Sequence, residues 1–143
     1  MGFFNKLFQA KKALPELDEN SPYARYLEEM QDPLKKLVSD TPDKIEVIPS
    51  QKRAFAFIGK PPKRFGVAWV DKNGEIVNFK RLVEEKGLPA DQLEKLSVRL
   101  REIYINHKSE PRYYTLIQDK QVVVTPSEPL LAEVEEVIDE TVQ

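Results

Sequence analysis

The sequence predicts an α+β fold: an antiparallel sheet of about five to six strands, covered by two long helices and preceded by an N-terminal helical arm. Three observations carry this expectation. Apolar residues alternate with period two in the stretches around residues 45–80 and 113–125, which are broken by proline and glycine. They recur at helical spacing over residues 89–107 and again from Pro129. The first fourteen residues form an amphipathic helical pattern of their own, closed by Pro15. Strands joined by hairpins and followed by helices that can cover an apolar face define an α+β architecture.

The N-terminal pattern places Phe3, Phe4, Leu7, Phe8 and Leu14 on one face and Lys6, Lys11 and Lys12 on the others, with no acid before Glu16. Three exposed phenylalanines call for a partner: a bilayer, another protein or a groove on the same domain. Residues 15–43 read as a connector and helical arm. Ser21-Pro22 supplies an N-cap and a first-turn proline for one helix to about Gln31. Asp32-Pro33 repeats the device for a shorter helix that Thr41-Pro42 ends.

The α+β domain proper is expected over residues 44–143. Ile45, Val47 and Ile48 make a short strand ending at Pro49. Residues 53–58 alternate Phe55 and Phe57 against Ala54, Ala56 and Ile58. Gly59 to Lys63, with two prolines, reads as a loop that interrupts the ladder. Phe65 to Val70 is the next strand, setting Phe65, Val67 and Trp69 on one face, and Asp71-Lys72-Asn73-Gly74 turns it back through Glu75 to Lys80. A brief helix at Leu82 and Val83 stops at Gly87. The long helix over Pro89 to His107 carries Leu93, Leu96, Leu100 and Ile103. Tyr113–Gln118 and Gln121–Thr125 form a second hairpin around Asp119-Lys120, and the last helix carries Leu130, Leu131, Val134, Val137 and Ile138.

Composition narrows the function classes. The chain has 143 residues, 41% hydrophobic and 32% charged, in the range of a folded domain with a core of its own. It has no cysteine, which excludes disulfides, thiol catalysis and thiolate metal sites and suits a reducing, cytoplasmic setting. No apolar run approaches the ~20 residues of a membrane span, and Lys6 stands where a myristoylation pattern wants Ser or Thr. Catalysis finds little support. The single histidine, His107, falls at a helix end, where a charged imidazole suits the dipole. Neither phosphate-cradling glycine motif occurs, and the carboxylates do not converge on a metal-ligand pattern. No catalytic residue, metal or cofactor is expected.

The net charge of −2 conceals a gradient: residues 51–70 carry Lys52, Arg53, Lys60, Lys63 and Arg64 without an acid, and beyond Lys120 there is no base. The two regions either face each other or form separate recognition surfaces. Lys60, Lys63 and Arg64, interleaved with Phe55, Phe57, Phe65 and Trp69, are a candidate anion or single-stranded nucleic-acid contact, in which cations meet phosphates and rings stack on bases. Residues 63–80, beginning Lys63-Arg64-Phe65-Gly66-Val67, resemble the second and third strands of cold-shock and related oligonucleotide-binding barrels, with one stacking aromatic of that family replaced by Val67. From Phe65 onward, the order strand, turn, strand, long helix, strands, terminal helix is similar to roadblock-type and other profilin-like modules. That likeness implies dimerisation and a scaffolding role, or partnership with small GTPases.

The reading the sequence favours is a non-enzymatic, cytoplasmic interaction or adaptor module, peripheral at the membrane where lipid is the partner. Its contact residues are Phe3, Phe4, Lys6, Leu7, Phe8, Lys11 and Lys12, engaging an anionic membrane surface or a protein partner, with homodimerisation a further expectation. Nucleic-acid binding through residues 52–69 is the alternative, and a small enzyme comes last.

Overall fold

The structure, a computed structural model, describes residues 14–142. Among the described residues, five helices, α1 (Pro22–Glu29), α2 (Gln31–Asp40), α3 (Phe79–Lys86), α4 (Ala90–Asn106) and α5 (Glu128–Val142), accompany six strands. These are β1 (Ile45–Ile48), β2 (Arg53–Lys60), β3 (Arg64–Asp71), β4 (Ile76–Asn78), β5 (Tyr113–Ile117) and β6 (Lys120–Val124). All six lie in one sheet in the order β4-β3-β2-β1-β6-β5.

The sheet is mixed, which corrects the all-antiparallel expectation. Four pairings are antiparallel, but β1 runs parallel to β6 through Glu46↔Val123 and Val47↔Val124. The four hairpin connections dictate only their own antiparallel partners. The connection through α3 and α4 brings the β5–β6 hairpin back on the free side of β1, with β6 innermost. That return sets the direction of the central pair, and no local pattern in either strand encodes it. The sheet ends at β4 and β5 and stays open, so it is not the barrel that the cold-shock likeness implies.

Strand alternation sends side chains to two different cores. Phe55, Phe57, Val67 and Trp69 face α4 and α5, where Leu96, Leu100, Ile103, Leu130, Val134 and Ile138 meet them. Ala54, Ala56, Ala68, Val70, Ile45, Val47, Val122 and Val124 face the other way. That second face is covered by α1 and α2 through Leu27, Met30, Leu34, Leu37 and Val38, all buried. The two long helices therefore cover one face only, and the short N-terminal helices are the third layer of the fold. On β2 and β3 this second face carries the small side chains Ala54, Ala56 and Ala68.

Local details follow the residues present. Ser21 caps α1, its hydroxyl accepting from the Ala24 N–H at 3.2 Å, with Pro22 at the first turn. The joint between α1 and α2 falls at Met30, so Asp32-Pro33 lies within the first turn of α2 rather than before it. The β2–β3 ladder continues to Gly59↔Phe65 and Lys60↔Arg64, leaving only Pro61 to Lys63 as the turn. The expected interruption at Gly59 is absent because this glycine adopts φ +116, a conformation it alone adopts readily. Strand β4 is shorter than expected: the Asn78 side chain accepts from the Arg81 N–H at 2.8 Å and starts α3 at Phe79.

Candidate functional site

The segment singled out by the sequence, with Phe3, Phe4, Lys6, Leu7, Phe8, Lys11 and Lys12, lies outside the described residues. Its point of attachment is described. The chain joins the domain as a short addition to the sheet edge: the Tyr114 N–H donates to the Pro15 carbonyl at 3.0 Å, and the Leu17 N–H donates to the Tyr114 carbonyl at 2.8 Å. This makes a parallel bridge between Glu16 and Tyr114. Leu17 packs against the core beneath α1 and α2. Edge strands expose unpaired backbone groups, and Pro15 to Leu17 cover the first half of this one. Pro15 to Leu17 are therefore fixed by hydrogen bonds beside β5.

The basic hairpin divides into two parts. Arg53 belongs to the acidic helix, its guanidinium donating to the Asp139 carboxylate at 2.7 Å and lying 3.6 Å from Glu135. The positive and negative stretches of the sequence thus meet here. Lys60, Lys63 and Arg64 sit exposed at the opposite end of the hairpin. Arg101 joins them from α4, its Nε donating to the Pro62 carbonyl at 2.8 Å. None of these four cations is in an ion pair among the described residues.

The aromatic half of that constellation is not at the surface. Phe55 and Phe57 are fully buried, and Trp69 is 7% exposed. Phe65 is half-buried, packed against Phe57 at a ring separation of 5.4 Å. Alternation that interleaves rings with cations in sequence has turned the rings inward and the cations outward.

The sequence reading missed a buried charge cluster. Glu46 is 8% exposed on the central strand β1. Its carboxylate accepts from the Tyr104 hydroxyl at 2.8 Å, the Arg112 Nε at 2.9 Å and the Thr125 hydroxyl at 2.6 Å. The Arg112 guanidinium also lies over the Tyr104 ring at 5.3 Å, and its Nη1 donates to the Lys108 and Glu110 carbonyls. Its Nη2 is buried without a partner among the described residues. Burial pushes the Tyr104 hydroxyl up to about 12, reinforced by the Glu46 carboxylate and opposed by Arg112. Three donors on one carboxylate leave it poorly placed to take a proton from a substrate, so the cluster reads as a clamp joining α4, β1, β6 and the lead into β5. One signal was available: an acid between Ile45 and Val47 in a strand demands buried partners.

His107 is the C-cap residue of α4 and pairs through its Nε2 with Glu133 of α5. Among the described residues, no group of three or more His, Asp or Glu side chains is placed to hold a metal ion, and no helix is long and apolar enough to cross a membrane. No family model matches the chain, and neither a curated protein sequence nor a solved structure matches it.

Proposed function

We propose that the chain is a non-enzymatic, cytoplasmic interaction module whose N-terminal amphipathic segment makes the contact, with the α+β body as its anchor. The observation that carries this reading is the attachment at Pro15 and Leu17. It fixes Pro15 to Leu17, next in sequence to an apolar, cationic segment, at one place on the sheet edge, beside a body whose buried Glu46 carboxylate is already engaged by Tyr104 and Arg112. Burying a Phe or Leu side chain is worth ~1.5–3 kcal/mol, and each base near anionic lipid adds ~1 kcal/mol. Ordering the segment costs ~1–2 kcal/mol per residue for the backbone, which brings the sum down to weak, reversible interfacial binding. The test is co-sedimentation with anionic vesicles, comparing the full chain with one that starts at Pro15. Sedimentation of the full chain alone supports a lipid contact. If neither sediments, the lipid arm fails, and a protein contact is sought by comparing proteins retained by the full chain and by Phe4→Glu.

A second reading rests on the four cations Lys60, Lys63, Arg64 and Arg101, which form a polyanion contact without stacking rings. It predicts oligonucleotide binding that falls steeply with salt, persists without residues 1–14 and is lost on reversing Lys63 and Arg64 to Glu.

A further inference from the structure

An open groove of about 320 Å³ runs between β5 and the paired helices α1 and α2. Its apolar lining comes from Leu17, Ala24, Leu116 and Ile117, over the buried Leu27 and Leu34. Three carboxylates, Glu16, Glu19 and Glu28, stand on it against one cation, Lys35. Glu19 and Glu28 are exposed and are in no ion pair among the described residues. The same stretch of β5 edge lies just past the part covered by Pro15 to Leu17.

We propose that the occupant of this groove, in the absence of a partner, is the chain's own N-terminal segment. Complementarity is the argument. The segment carries Lys6, Lys11 and Lys12 with no acid before Glu16, and presents Phe3, Phe4, Leu7 and Phe8; the groove is apolar with an acidic rim. The two are covalent neighbours, since Glu16 and Leu17 are themselves part of the groove wall. Even at the short rise of a helix twelve residues would span ~18 Å, about the length of a five-residue strand, so the segment is long enough to lie along β5. Tethering makes the contact intramolecular, so a shallow groove suffices to hold it. The same apolar face then serves either the groove or the partner, and partner binding competes with self-docking. This rests on residues 1–14 being the contact.

The chain has no cysteine, so Gln9→Cys offers a single nitroxide site on the whole 143-residue chain. The expected result is paramagnetic broadening of the Leu17, Leu27, Leu34 and Ile117 methyl signals, with Val83 and Val98, on α3 and α4, unaffected. Glu19→Lys combined with Glu28→Lys should abolish the broadening and raise vesicle sedimentation several-fold, while circular dichroism stays unchanged. Absence of groove broadening in the full chain overturns the proposal. So does broadening that appears only between spin-labelled and isotope-labelled molecules in a mixture, which would mark the segment of a second copy. Vesicle binding without groove broadening leaves the interaction reading standing and self-docking refuted. Groove broadening with no vesicle or protein binding after release does the reverse.

Discussion

Two side chains show how single residues hold this fold. Trp69 packs on Phe55 at 6.0 Å between ring centres and is buried under the long helices. Trp69→Ala removes a large buried surface and should cost ~3–5 kcal/mol in denaturant unfolding; near-native stability would show that the ring is not part of the core. Tyr104 gives a pH signature. Its hydroxyl titrates at about 12 in the folded chain against 10.0 for the free group. Between those values the folded state keeps a proton that the unfolded state has released, so the contribution is complete below pH about 10 and lost as pH rises towards 12. Tyr104→Phe should therefore lower stability at neutral pH by ~1 kcal/mol through the lost hydrogen bond. It should also flatten the alkaline decline relative to the parent, measured by urea unfolding at stepped pH. An unchanged alkaline slope would show that Tyr104 does not carry it.

At the scale of elements, the β2–β3 hairpin depends on one backbone conformation. Gly59 has φ +116, and a Cβ there would lie 2.9 Å from the Arg64 carbonyl oxygen across the ladder. Gly59→Ala should destabilise the domain by ~1–3 kcal/mol, read from the shift in unfolding midpoint. Gly66→Ala, where a Cβ meets nothing within 4 Å, is the matched control with a small effect. Elements were also where sequence patterns spoke most clearly. The Leu96, Leu100 and Ile103 stripe and the Gly87 stop identify α4 and the end of α3, and Gly87 does adopt the left-handed φ of 66. The second hairpin was legible too, but its turn sits at Gln118 and Asp119, both at positive φ. Gln118 is not a usual residue there, so the turn was expected one residue too late.

At the scale of the molecule, the three layers make the N-terminal helices part of the core. A chain starting at residue 44 would expose Ile45, Val47, Ala56, Val70, Val122 and Val124 to water. It should lack a cooperative thermal transition, whereas a chain starting at Pro15 should keep one near that of the parent. Cooperative unfolding of residues 44–143 alone would show that α1 and α2 are dispensable. The charge gradient is likewise settled across the molecule: Arg53 bridges to α5, while Lys60, Lys63, Arg64 and Arg101 gather at the far tip of the hairpin.

The sequence by itself determined most of the elements, their faces and the apolar, cationic make-up of residues 1–14, because side-chain period and proline or glycine punctuation act within a few residues. Tertiary structure alone decided the parallel β1–β6 pair, the second core under α1 and α2, the clamp on Glu46 and the acidic groove. Each of these joins residues far apart in the chain. Their partners are chosen by how layers pack and which edge remains free, and neither is written in any local pattern.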